Sequence, residues 1–203
     1  MKVFRVSPSY SGTETIYRGL VAKSTAGVEE LWRFDGTPKA DRWAATPREV
    51  KFVDPEKPIG DFLAFYPSSA LAVVNPDRLE ITRILLECAE LLPLRAPGLR
   101  VSLANVVPAE ACLDEKASQG KRLADGRLYF VERYEFIRER LPRRSLFKAA
   151  EEPYGVFALQ GATGEDDDFK RIVERDGLMG LDFTEVWNDD GDPVQVREFG
   201  TSW

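Results

Sequence analysis

The density of chain-turning residues in the first third constrains the fold most. Pro8, Gly12, Gly19, Gly27, Gly36, Pro38, Pro47, Pro55, Pro58 and Gly60 interrupt residues 1–60 every few positions, and such residues break helices while punctuating strand-and-turn structure. Short strands joined by loops fit there; long helices do not. Val3 and Val50-Lys51-Phe52-Val53 are the expected strand positions. No basic or glycine-rich pattern is organised around Trp32, Phe34 and Trp43, which are expected to cover a core.

Beyond residue 60 the pattern changes. Ala70-Leu71-Ala72-Val73-Val74 is a short apolar run followed by Asn75-Pro76, a capping residue with proline at the first helical position. A strand is therefore expected to feed a helix, whose buried face carries Ile81, Ile84, Leu85, Cys88 and Leu91 or Leu92, with Pro93 as its stop. Glu80, Arg83, Glu87 and Glu90 fall on the other side. Residues 99–107 alternate as a strand, and 108–127 are polar and turn-rich, as in a long surface loop. For 130–138 helix and strand fit equally, since Phe130, Tyr134, Ile137 and Leu141 have helical spacing while Tyr134 and Phe136 alternate with charged residues.

Leu146-Phe147 and Val156-Phe157-Ala158-Leu159 read as strands about a turn at Glu151-Glu152-Pro153-Tyr154-Gly155. A helix is expected over 166–176, stopped by Gly177, then a strand from Phe183 to Trp187 and a hairpin turn at 188–193 returning through Val194 to Val196. The expectation is a single α+β domain over 1–203, with a loop-rich segment to residue 60. It has a mixed, largely antiparallel sheet and two strand–helix–strand units.

The chain has no histidine, so chemistry built on a histidine base or ligand is excluded. Cys88 and Cys112 stand 24 positions apart in no CxxC pattern and read as buried or structural thiols of a reducing cytoplasm. No signal peptide and no membrane span is expected. Gly161-Ala162-Thr163-Gly164 lacks the Lys-Ser/Thr of a phosphate loop. Glu49-Val50-Lys51 with Asp41 upstream has the acid-x-Lys form of some metal-dependent nucleases, although alternation along a strand also explains it. Asp189-Asp190-Gly191-Asp192 is read as a turn, without calcium. No cofactor, metal or direct nucleic-acid partner is expected.

Charge is more informative when resolved along the chain. The total is −6, but residues 151–203 hold 14 acidic and 4 basic residues, a net of −10, while residues 1–150 net +4. Glu165-Asp166-Asp167-Asp168 is the densest run; a helix cap and a solvated loop both account for part of it. The basic stretch from Lys121 to Lys148 is the nearest internal counterweight. A concentrated anionic surface attracts a cationic partner.

The series Asp61-Phe62-Leu63, Asn75, Leu79, Leu85-Leu86, Leu146-Phe147, Val156-Phe157, Phe169 and the ending Gly177-Leu178-Met179-Gly180-Leu181-Asp182-Phe183-Thr184-Glu185-Val186-Trp187 resembles a family of bacterial immunity proteins encoded beside polymorphic toxins. The resemblance spans roughly 60–190, and the Gly-Leu-x-Gly-x-x-Phe-x-x-Val-Trp ending is its most specific part. It tilts Tyr134–Arg138 towards strand. The stretch Gly161 to Asp168 is longer and more acidic than the family's link at that place, and the motif residues carry fold, not catalysis. The resemblance implies a non-enzymatic α+β protein that neutralises a cognate toxin, frequently a nuclease, by tight binding. Glu151, Glu152, Tyr154, Glu165, Asp166, Asp167, Asp168, Trp187, Asp189, Asp190 and Asp192 are the expected contact residues. A metal-dependent hydrolase and an adaptor without a toxin partner are the alternatives.

Overall fold

A computed structural model describes residues 1–12, 14–23, 33–43, 48–66, 68, 70–162, 164, 167–191 and 194. Strands take up 46% and helices 14% of it, so the molecule is largely sheet with some helix, more strand-rich than the α+β expectation. The elements run β1 (Lys2–Pro8), β2 (Tyr10–Ser11), β3 (Glu14–Thr15), β4 (Gly19–Ala22), α1 (Ala40–Trp43), β5 (Val50–Val53), β6 (Phe62–Tyr66), β7 (Leu71–Val74) and α2 (Thr82–Cys88). They continue with β8 (Ala89–Ala96), β9 (Leu99–Val106), β10 (Ala109–Glu110), β11 (Gln119–Arg122), β12 (Leu128–Arg133), β13 (Leu146–Ala149), β14 (Glu152–Gln160), α3 (Phe169–Arg175) and β15 (Leu181–Asn188).

Two mixed, mainly antiparallel sheets carry the fold. One has six strands in the order β5-β4-β6-β7-β9-β8, the other five in the order β10-β13-β14-β1-β15. Parallel pairing occurs at β4–β6 and β10–β13. The six-stranded sheet curls until its outer strands approach. Glu49 bridges Arg95, and the Arg95 N–H donates to the Arg48 carbonyl at 2.8 Å.

Two strand–helix–strand units are present, the first closing on β8 at 89–96 in place of the expected strand at 99–107, and both are split. β7 and β8 flank β9, antiparallel to each, with α2 connecting them. β14 and β15 flank β1 in the same way, with α3 connecting them. Seven residues make too short a helix to stand alone in water, so packing must hold both. Ile84, Leu85 and Cys88 of α2 and Phe169, Ile172 and Val173 of α3 enter one core with Phe4, Val6 and Ala158 of one sheet and Phe62, Val73 and Ala104 of the other. Burying each large apolar side chain contributes about 1.5–3 kcal/mol. At the surface Arg83 reaches Asp167 at 2.6 Å and Arg175 reaches Glu80 at 3.0 Å, linking the two helical segments.

The first helix differs from its sequence reading. Asn75 takes a left-handed turn conformation (φ 47°) with no side-chain cap, a 3-10 turn covers Pro76–Arg78, and α2 ends at Cys88, five residues before the expected stop. Residues 89–96 instead pair one to one with 99–106 about Pro97-Gly98, where Gly98 has φ +72°. Pro93 is tolerated because β8 is a terminal strand. Its carbonyl takes the Trp43 indole N–H at 2.9 Å, so it faces away from β9. Glu90 also leaves its expected role: its carboxylate accepts the Lys39 and Ala40 N–H groups at the start of α1 and the Asn105 amide.

Three further readings change. The presumed loop 108–127 contains β10 and β11. Strand stops at Arg133, and Tyr134–Arg138, which the resemblance tilts towards strand, is not one: Phe136 makes a single bridge to Leu113 before a 3-10 turn at Arg138–Arg140. β14 begins at Glu152, so Glu152 to Gly155 are strand, not turn. Phe34 and Trp43 are buried and 6.2 Å apart as ring centroids, inside a second core under the six-stranded sheet. Trp32 and the expected return through residues 195 and 196 lie outside the described residues.

The Gly-Leu-Met-Gly segment has a physical explanation. Gly177, at φ +62°, ends α3 with the paired bonds Leu178 N–H to Val173 O (2.9 Å) and Gly177 N–H to Glu174 O (3.3 Å). Gly180, at φ +111°, lies against Phe62, so close that a Cβ would sit 2.0 Å from the Phe62 oxygen. The Asp61 carboxylate accepts the Met179 N–H at 2.8 Å and clamps the turn.

Candidate functional site

The eleven acidic and aromatic residues expected to contact a partner are scattered in role. Asp168 is the N-cap of α3, 2% exposed, with its Oδ1 accepting the Arg171 N–H at 3.2 Å. Burial pushes its carboxyl above the ordinary range, opposed by that hydrogen bond. Trp187 is 9% exposed and packs edge-on against Phe136 at 6.1 Å, in a third core with Phe147 and Phe157. Both are withdrawn from the contact set: one holds a helix end, the other fills a core. Asp168→Ala should therefore lower stability by about 1 kcal/mol and leave partner association unchanged, as thermal unfolding and binding kinetics on the same variant would check.

Several carboxylates are engaged within the chain. Glu152 meets Arg5 at 2.9 Å, and the same guanidinium donates to the Tyr134 hydroxyl at 2.6 Å. Burial, reinforced by the Glu152 charge, raises the Tyr134 phenol well above its usual range. Asp189 accepts from the Met1 α-amino group at 2.6 Å and lies 3.3 Å from Arg138; the amino group holds its carboxyl below the usual range. Asp167 pairs with Arg83. Glu151, half-buried, accepts the Leu113 N–H at 3.3 Å. Tyr154 is 57% exposed, and Asp190 is exposed beside an Asn188 side chain that accepts its N–H. Glu165, Asp166 and Asp192 lie outside the described residues.

At this end of β15 there is an open cleft of about 260 Å³, lined by Arg133, Tyr134, Glu135, Trp187, Asn188 and Gly191. The acid-x-Lys residues behave as surface strand residues: Glu49 bonds Lys23 at 3.0 Å, both about half exposed, and Lys51 is exposed on β5. Among the described residues no three carboxylates or thiols come together as a metal site. Cys88 and Cys112 are free and buried. Burial raises both thiols, Cys112 to about 12. Among the described residues no helix is long and apolar enough to cross a membrane.

Two features escape the sequence reading. Lys148, on β13, is 1% exposed and donates to the Phe34 and Pro153 carbonyls at 2.5 and 2.8 Å. Its apolar neighbours on a strand were the only signal. Tyr10 (41%), Ile16 (43%), Ile59 (37%) and Met179 (48%) are among the exposed large apolar residues. Met179 lies inside the Gly-Leu-Met-Gly turn, where an apolar residue between a helix stop and a strand was the available sign. Comparison of the chain with protein-family models finds no match, and no curated protein matches it either.

Proposed function

We propose that this chain is a non-enzymatic immunity protein that binds and neutralises a cognate bacterial toxin, a basic nuclease effector, by covering its active-site groove with an acidic surface. The observation that carries the reading is the segregation of charge, −10 over residues 151–203 against +4 over the rest. Nuclease grooves are lined with Lys and Arg to receive phosphates, so presented carboxylates compete for that lining. The resemblance of residues 177–187 to the immunity family supports it independently.

The test mixes the purified chain with the toxin domain encoded in the neighbouring reading frame. Stoichiometric loss of nuclease activity is expected. A variant carrying Glu165→Gln, Asp166→Asn and Asp190→Asn should associate about tenfold more slowly at low salt, with the difference vanishing at high salt. Full toxin activity in the presence of excess chain refutes the function. Identical, salt-independent association refutes the acidic surface.

A further inference from the structure

The outer strands of a sheet carry backbone groups that need a partner or a cover. The six-stranded sheet ends in β5 and β8, which turn towards each other: Glu49, just before β5, bridges Arg95 of β8, and the Pro93 carbonyl of β8 takes the Trp43 indole N–H. The five-stranded sheet ends in β10, two residues long, and in β15, eight residues long. Among the described residues β15 pairs with β1 alone. Of the outer strands of the two large sheets, it is the long one with nothing beside it among those residues.

Register fixes which groups this edge offers. Pro8 stands opposite Leu181 and the Ser9 N–H donates to the Gly180 carbonyl, so Gly180, Asp182 and Thr184 turn their backbone groups towards β1. Antiparallel alternation then points the N–H and C=O of Leu181, Phe183 and Glu185 away from it. Beyond the irregularity opposite Val3 and Phe4, the Asp189 N–H donates to the Met1 carbonyl, which leaves the Asn188 backbone pointing outward as well. The open stretch begins at Leu181, because the Phe62 N–H donates to the Met179 carbonyl just before it. Among the described residues the outward groups of these four residues have no backbone partner.

The side chains of β15 choose among occupants. Lysine and proline, which keep natural edges from pairing, are both missing from it. Its uncompensated charge is negative. Asp182, exposed, accepts only from the neutral Ser9 hydroxyl and Tyr10 N–H, and Asp190, just past the strand, is exposed too; neither makes an ion pair among the described residues. Glu185 and Asp189 are held by Lys2 and the Met1 amino group. A second copy adding to this edge would set its carboxylates against the same carboxylates, and like charges across a strand pair are destabilising. A strand bearing Lys or Arg meets the opposite sign.

We infer that the open edge of β15 takes up a strand of the toxin, one with Lys or Arg where it passes Asp182 and Asp190. The inference rests on the immunity reading and locates its contact within the acidic region 151–203. In such strand addition the backbone bonds supply affinity and the side chains supply selectivity.

Amide hydrogen exchange of the full chain, followed by NMR with and without the neighbour-encoded toxin domain, tests this. In the free chain the Asp182 and Thr184 amides should exchange slowly and those of Leu181, Phe183 and Glu185 fast; the complex should slow the latter three by about a hundredfold or more. Glu185→Pro removes an outward N–H and no bond to β1, so it should weaken binding about thirtyfold, while Glu185→Gln, which keeps the N–H, should change it less than about threefold. A complex in which the three amides exchange as in the free chain, or a Glu185→Pro variant that binds like wild type, refutes the edge and leaves the immunity reading standing. Amides already slow in the dilute free chain, or slowed by raising its concentration, give the edge to the chain's own residues or to a second copy and refute it too. If no complex forms, both readings fall.

Discussion

Gly180→Ala is expected to cost about 4 kcal/mol or more, whereas Gly177→Ala, in the same turn, costs only about 1–2 kcal/mol. The two glycines both have positive φ, yet their surroundings differ. A Cβ at Gly177 meets nothing within 4 Å; one at Gly180 would sit 2.0 Å from the Phe62 oxygen and 2.9 Å from its carbon. Both colliding atoms are backbone, so neither can rotate aside. Relief requires β6 and β15 to part, which breaks the Phe62-to-Met179 and Ser9-to-Gly180 hydrogen bonds, each contributing about 1 kcal/mol. With backbone strain of about 1–3 kcal/mol added, the loss reaches about 4 kcal/mol or more, a large part of a typical domain's stability. Urea unfolding of both variants checks this. Equal midpoints would show that left-handed geometry, not close approach, is what the second glycine serves.

Raising the pH from 7 to 10 should stabilise the wild-type chain by about 2–3 kcal/mol relative to Lys148→Met. Burial is the main cause that pulls the Lys148 ammonium down to about 8; the Asp35 charge pulls it back up and Lys39 pushes it lower. In the unfolded chain the group titrates near 10.5. Below about 8 the folded protein carries a buried charge that the unfolded chain hydrates freely, and this is destabilising. Between about 8 and 10.5 the unfolded state binds the extra proton, so stability rises with pH. The geometry favours the neutral amine, whose two N–H groups match the two carbonyls that receive them. Deprotonation of the Cys88 and Cys112 thiols in the unfolded chain opposes the trend above about 9. That contribution is common to both proteins and cancels in the difference. Denaturant midpoints of wild type and Lys148→Met across this range give the answer, and parallel curves would show that Lys148 keeps its proton.

Where local chemistry decides structure, the sequence was readable. Gly177 as a helix stop, Asp168 at the opposite end of α3 and the buried stripe of Ile81, Ile84, Leu85 and Cys88 all follow from residue type and spacing. Residues 89–96 depart from the helical expectation, which rests on Leu91 and Leu92 continuing a helical stripe. Eight cross-strand pairs to 99–106 outweigh that periodicity, and no local signal shows a distant strand. The candidate site was legible in charge only. Carboxylates at 152, 167 and 189 look identical in sequence to exposed ones. Arg5, Arg83 and the Met1 amino group, which engage them, come from positions 84 to 188 residues away. Trp187 reads equally as anchor or core until the faces of β15 are assigned.

The placement of β1 between β14 and β15 has a consequence for biosynthesis. Lys2–Pro8 leaves the ribosome long before its partners, Val156–Gln160 and Leu181–Asn188. One edge of this strand stays open until residues 156–160 emerge and the other until residues 181–188 do, and the five-stranded sheet cannot close before then. Pairings of such sequence separation slow folding and lengthen the time in which open edges can meet other chains. Yield in the cell should therefore depend on how quickly residues 181–188 are delivered, and chaperone demand should fall on the nascent N-terminal strand.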